Sequence, residues 1–406
     1  MSLRPLAVSR AVLTRTLLAC YGVTAANHLA SVALSTLLPF HVTALGGSKT
    51  QVGLLFSVMT VVSMVLRPLA GGWIDRYGYR QVMLPGAGTL VVVTLAFHVA
   101  PSPVAVIALM AGIGLGNALV STGASALTAH AGGPEHRGEA LSLYFLVNSL
   151  AIAAGPPLAF ALMGLGGHRA AFAAVTALAV VTTALARRLP GPAHTAGAAI
   201  APGLRLLSRH AMPAAGSVVL TTVGHSSIYA FLPLYAVSHG QGWALVWFFT
   251  AYFVCLIGLR ALLRGLSDRI GRARVIVPSM ALMACGFLAL ALPPTPGSLI
   301  AAAAFLGGAS AMLYPTLAAL VVDRSPEAER ALALGTLSSA WDLGVVVGSV
   351  LVGFVADRVS YGAGFTLAAV STGFGLVAFV AAERRHRALT SRRPSRSAAP
   401  PRARPS

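Results

Sequence analysis

The chain states one charged turn twice. Arg67-Pro-Leu-Ala-Gly71-Gly-Trp-Ile-Asp75-Arg76-Tyr-Gly78-Tyr-Arg80-Gln-Val-Met-Leu-Pro85 aligns without a gap on Arg260-Ala-Leu-Leu-Arg264-Gly-Leu-Ser-Asp268-Arg269-Ile-Gly271-Arg272-Ala-Arg274-Val-Ile-Val-Pro278, 193 residues later. Arg, Leu, Gly, Asp, Arg, Gly, Val and Pro all fall in register. Apolar runs long enough to cross a bilayer flank each copy. Such a chain is constrained to two equivalent membrane halves, each turning through a polar surface at the same point.

The solvent follows from composition. Of the 406 residues, 56% are hydrophobic and 10% charged, with a mean hydropathy of +0.79, too little polar surface to face water. About 20 apolar residues cross ~30 Å of hydrocarbon as a helix. Cuts at charged and Pro/Gly punctuation give six segments in the first half: 16–42, 51–72, 82–100, 104–130, 139–165 and 168–186. The second half gives 211–237, 243–264, 275–292, 297–322, 331–355 and 362–382. None alternates in polarity as a barrel strand would. The expected fold class is an all-α membrane protein of twelve transmembrane helices in two pseudo-symmetric six-helix bundles. Residues 1–186 form one bundle and 211–382 the other, joined by a linker over 187–210 and followed by a disordered basic tail over 383–406.

A formal net charge of +19 invites a nucleic-acid reading, and the placement of that charge opposes it. Of 29 Lys and Arg residues, only Lys49, Arg169 and Arg358 fall on the side opposite the N-terminus. This is the positive-inside pattern, which puts both termini in the cytoplasm of a multi-pass protein of the cell membrane. Cys20, Cys255 and Cys285 all sit inside apolar segments without metal-ligand spacing, so neither metal nor disulfide is expected.

The repeat extends beyond the turn. Leu38-Pro39-Phe40 answers Leu232-Pro233-Leu234, Pro134-Glu135 answers Pro326-Glu327, and Gly155 answers Gly348. Six segments per half bring the second half in from the same side as the first. The halves are therefore related by an axis along the membrane normal, with a path between them.

Gly71-Gly-Trp-Ile-Asp75-Arg76-Tyr-Gly78-Tyr-Arg80 resembles the loop signature of the major facilitator superfamily between its second and third helices, and Asp268-Arg269-Ile-Gly271-Arg272 resembles the second copy. Arg264 replaces the leading Gly of that copy, and Tyr79 the first basic position of the other. Within the superfamily the chain is most similar to bacterial twelve-helix drug/proton antiporters and arabinose-efflux permeases. Gly335-Thr-Leu-Ser-Ser-Ala-Trp341-Asp342-Leu-Gly344 resembles their eleventh helix, and Gly155-Pro156-Pro157 part of their Gly-Pro motif in the fifth. Ala108 stands where many proton antiporters carry Arg, four residues before Gly112. The resemblance implies that Arg67, Gly71, Asp75, Arg76, Gly78, Arg80, Arg260, Asp268, Arg269, Gly271 and Arg272 form the gating motif.

Charge at membrane depth costs ~2.5–3.5 kcal/mol or more and requires a partner or a task. Asp342 is the clearest case; the resemblance, which sets the eleventh helix against the second across the lobe interface, implies Arg67 as its partner and, by pseudo-symmetry, Arg260 facing Asn148 and Ser149. His28, Asn148, His225, Tyr229 and Trp341 join Asp342 as candidates for the coupling or substrate path. No nucleotide loop, zinc spacing or nucleophile elbow is present in the sequence, so no catalytic residue, metal or cofactor is expected. The resemblance implies a secondary exporter of a small organic molecule, such as a drug, metabolite or metallophore-like compound. It would work as a monomer in the lipid bilayer by proton antiport and rocking of two lobes. A sugar or small-metabolite importer on the same fold is the alternative.

Overall fold

A computed structural model describes residues 12–191 and 207–391, apart from Arg264. The described residues form helices α1 (Arg15–Ala44), α2 (Lys49–Tyr77), α3 (Tyr79–Ala96), α4 (Pro103–Ala131) and α5 (Gly133–Ala186) in the first half. The second half has α6 (Met212–Thr222), α7 (Ser227–Ala230), α8 (Leu232–Ser238), α9 (Ala244–Leu262), α10 (Leu266–Ile270), α11 (Arg272–Ala291), α12 (Pro296–Arg324), α13 (Arg330–Arg358) and α14 (Tyr361–Ser391). Long helices satisfy their own backbone groups, which lipid cannot do. Their starts are written in the sequence: Thr14, Ser48, Ser102 and Thr295 each accept a bond from the first turn of α1, α2, α4 and α12.

Twelve crossings result. α5 supplies two, because Gly166 and Gly167 leave the helical region, Gly167 at a φ of 65° that suits a residue without Cβ. The segment expected as one helix over 211–237 is broken. α6 ends at Thr222, residues 223–226 turn, and α7 and α8 follow with a 48° bend before α8. At the break Gly344 and Gly348 of α13 bring its backbone against Val219, Thr222 and Val223. A second expectation is corrected at the far end: residues 383–391, assigned to a disordered tail, continue α14 as helix. The rest of that tail and linker residues 192–206 lie outside the described residues.

Packing repeats with the sequence. In the first lobe α2 and α3 pack on α4, and α1 on α5; in the second, α9 and α11 pack on α12, and α6 on α13 and α14. A methyl group on Gly114 would fall 2.5 Å from the Met59 carbonyl oxygen on α2. Gly307, its repeat counterpart, meets the Tyr252 carbonyl on α9 in the same way. Dispersion at such close crossings holds helices together where lipid removes the hydrophobic drive between them. The lobes meet along α2 with α13, α5 with α9, and α1 with α7 and α8. The protein therefore has two faces across the membrane, a hairpin face where α2 turns into α3, and the opposite face where α2 begins.

Candidate functional site

The polar contacts that cross between the lobes run down α2 and α13. On the opposite face Asp357, at the end of α13, caps the first turn of α2. Its Oδ1 accepts from the Lys49 amide at 2.8 Å, and its Oδ2 from the Thr50 amide at 2.7 Å and the Thr50 hydroxyl at 2.5 Å. Lys49 returns the contact, donating from Nζ to the Ala356 carbonyl at 2.8 Å and lying 4.2 Å above the Tyr361 ring. A carboxylate at a helix N-terminus meets unpaired N–H groups and the positive end of the helix dipole together. Two turns deeper, Ser57 Oγ lies 2.6 Å from Ser349 Oγ and donates to the Val346 carbonyl at 2.8 Å.

The seam ends at Arg67 and Asp342, whose Nη1 and Oδ2 lie 2.5 Å apart. The Asp342 side chain is 12% exposed and that of Arg67 45%, so the pair sits at the edge of the buried interface. Beyond it, toward the hairpins, α2 presents Leu69, Trp73 and Tyr77 exposed. The lobes are thus latched at the opposite face and ion-paired midway.

Behind Asp342 lies an aromatic group. The Trp341 ring sits 4.8 Å from His225 and 5.2 Å from Tyr314, and His225 is 6.1 Å from Tyr229. Tyr314 shares a 3.0 Å hydrogen bond with Ser338. The break after α6 sets His225 against α13, where Thr222 Oγ1 also donates to the Trp341 carbonyl at 3.3 Å. Three sequence candidates, His225, Tyr229 and Trp341, therefore share one cluster with Asp342 next in chain. His28 is elsewhere, its Nδ1 3.1 Å from the Thr24 carbonyl oxygen. Asn148 carries a buried Oδ1 without a hydrogen-bond partner among the described residues. Arg260 departs from expectation. It donates to the Ser310 and Ala311 carbonyls of α12, within its own lobe, at 3.3 Å, and no hydrogen bond joins it to Asn148 or Ser149 among the described residues.

The two hairpins share a backbone and differ in contacts. Gly78 (φ 88°) and Gly271 (φ 98°) make the turns, at angles that disfavour any residue with a Cβ. In the second hairpin Arg272 bridges Asp268 at 2.5 Å and Asp323 of α12 at 3.0 Å, and bonds Ser267. Arg269 is exposed. In the first, Tyr79 and His130 occupy the Arg272 and Asp323 positions, with ring centres 6.1 Å apart. Asp75 and Arg76 are exposed, Arg80 is half-buried, and Asp75 makes no hydrogen bond or ion pair with a described residue. Nothing lies within 4 Å of a methyl group placed on Gly71, so no close helix approach occurs there in this conformer.

Sequence reasoning missed Lys49, Thr50 and Asp357. A signal was present: Gly353-Phe-Val-Ala-Asp357-Arg358 repeats the Gly-x-x-x-Asp-Arg pattern of Gly71 to Arg76 on the opposite face. Lys49 and Arg358 are also two of the three cations expected there.

Two repeated six-helix lobes joined along a polar seam define a membrane transporter. The Major Facilitator Superfamily profile matches residues 20–264 and 241–405, and the chain belongs to that family. It is 30% identical over 343 residues to an uncharacterized MFS-type transporter of Burkholderia pseudomallei (strain 1106a), covering 82% of this chain and 83% of that one. A second uncharacterized MFS-type transporter, from Pseudomonas aeruginosa (strain LESB58), is 29% identical over 357 residues, covering 84% and 87%. Among solved structures, the nucleoside transporter NupG (D323A mutant) superposes with a TM-score of 0.77 over 91% of this chain and 99% of that one. At 13% identity this likeness is one of fold.

Proposed function

We propose that the protein exports a small organic molecule by proton antiport, with the hairpin face and both termini in the cytoplasm of the cell membrane. The observation that supports it most is the Arg67–Asp342 ion pair, set between the latched face and the aromatic cluster of Trp341, His225, Tyr229 and Tyr314. This conformer is the cytoplasm-facing one. A carboxylate at the edge of a lobe interface holds Arg67 while ionised and releases it when protonated. In the outward-facing state a proton from outside neutralises Asp342, and the lobes rock to this cytoplasm-facing state, in which the α2–α13 seam is closed. Substrate entering beside Trp341 then favours loss of the proton, and the substrate-loaded lobes rock outward. The aromatic faces suit an amphipathic molecule with an apolar or weakly cationic ring system.

The test is proton release in inside-out vesicles carrying the protein, followed with a pH-quenched dye across a panel of amphipathic compounds. Dequenching on compound addition that is absent in Asp342→Asn supports antiport through this residue. Dequenching retained in full by Asp342→Asn removes Asp342 from the coupling path, and compound uptake with proton co-entry would replace export by import.

A further inference from the structure

At the hairpin face of the second lobe, α11 and α14 part to leave a cleft. A cavity of about 320 Å³ is lined by Arg274, Val277 and Pro278 of α11 and by Val380, Glu383 and Arg384 of α14. A second cavity of about 370 Å³ adjoins it, sharing Ala273, Arg274 and Glu383 and reaching Gly271 and Arg272. The charges in this cleft do not cancel. Glu383 is held by Arg324 at 2.5 Å, and Arg272 is neutralised by Asp268 and Asp323. Arg274 bonds only the Ile270 carbonyl oxygen, at 3.3 Å, and Arg384 makes no ion pair with a described residue. Two exposed guanidiniums and the one carboxylate of Glu383 therefore line one cavity, leaving it a surplus of positive charge. The N-terminal amides of α11, which no side chain caps, open onto the adjoining one.

The cleft is half apolar, and the apolar part has a direction. Val277, Pro278 and Val380 form its membrane-side wall. Further along α14 from Val380, Phe374 and Val377 are each 65% exposed. Guanidiniums at the membrane boundary above an apolar groove match a phosphodiester headgroup with an acyl chain beneath it. A free phosphate would use only the upper half. The first lobe has no equivalent: Gln81 stands at the Arg274 position, and Pro190 and Gly191 at those of Glu383 and Arg384.

We propose that this cleft is a binding site for an anionic phospholipid, its phosphate between Arg274 and Arg384 and one acyl chain along α11 and α14. The lipid ties the two outer helices of the second lobe together beside the Asp268–Arg272–Asp323 brace, whatever the transported substrate.

The measurement is native mass spectrometry of the full-length protein in detergent, titrated with phosphatidylglycerol, phosphatidylcholine or inorganic phosphate. Phosphatidylglycerol should bind more tightly than phosphatidylcholine, and Arg274→Gln and Arg384→Gln should each weaken it about fivefold, the scale of one basic side chain near a membrane surface. The double variant should lose about 25-fold, while Arg188→Gln, at an exposed arginine just after α5, leaves binding unchanged. Thermal unfolding of the Gln variants without lipid checks that they remain folded. Equal binding of the two lipids, or an equal loss in Arg188→Gln, would overturn the site. Inorganic phosphate competing at the lipid's own concentration would overturn the lipid assignment.

Discussion

The two hairpins carry the same words and do different things. In the second, Arg272 is locked between Asp268 and Asp323, so the turn is braced onto its own lobe. In the first, Tyr79 and His130 replace that pair by a ring contact, and Asp75 is left exposed. A carboxylate already bonded inside its lobe has nothing left to offer the other lobe. One that is unpaired does. The asymmetry continues at mid-membrane, where Asp342 has Ser149 as its repeat counterpart, so the ion pair with Arg67 occurs between one helix pair only. The duplicated fold braces the hairpin of one half and leaves the Asp of the other exposed.

Variants can break this contrast. The largest effect is expected from Asp342→Asn, which leaves Arg67 without its partner. Compound-driven transport should fall roughly tenfold or more, the consequence of losing about 1.4 kcal/mol or more from a part-buried pair. Asn148→Ala should change it less than twofold, a factor of about 0.4 kcal/mol. Equal losses in the two would end the claim that the halves differ in function.

Asp357→Asn should come next. Charge-assisted hydrogen bonds are roughly twice as strong as neutral ones, so the cap on α2 weakens and the opposite face opens more often. The readout is thiol labelling of Ser349→Cys in a background without Cys20, Cys255 and Cys285, with an expected rise of about fivefold for a change near 1 kcal/mol. Unchanged labelling would mean that Asp357 merely ends its helix.

Paired variants of the hairpins sharpen the comparison further. Asp75→Asn should cut transport and leave thermal stability alone. Asp268→Asn, breaking an exposed pair, should lower Tm by about 2 °C or less and spare most transport. A swap of these outcomes would invert the contrast between the braced and the exposed hairpin. The double variant Tyr79→Arg with His130→Asp would install the second hairpin's brace in the first, and transport should slow while the protein becomes no less stable. Gly71→Ala is expected to have the smallest effect on stability, since open space surrounds Gly71 here. A transport defect in that variant would show that the other conformer closes on it.

Legibility varied along the chain with the range of the interaction. The hairpins and their glycine turns were readable, because a positive φ is set by one or two adjacent residues. An isolated charge in an apolar run demands an opposite one, and the family resemblance, which sets the eleventh helix against the second, pointed to Arg67 as the partner of Asp342. The break after α6 was not, for Val219 to Ser226 contain no proline and only one glycine, and the close crossing there is with Gly344 and Gly348, more than a hundred residues away. Arg260 was assigned by symmetry to the other lobe, yet the carbonyls it bonds lie on its own.

The sequence by itself determined a two-lobed bundle of apolar helices with charged turns on one face, because hydrophobic length, glycine conformation and charge cost at depth are local properties. Only the tertiary structure decided which carboxylates are occupied. Asp75, Asp268 and Asp357 stand in nearly identical sequence surroundings, and they differ solely in what the folded chain brings within hydrogen-bond reach.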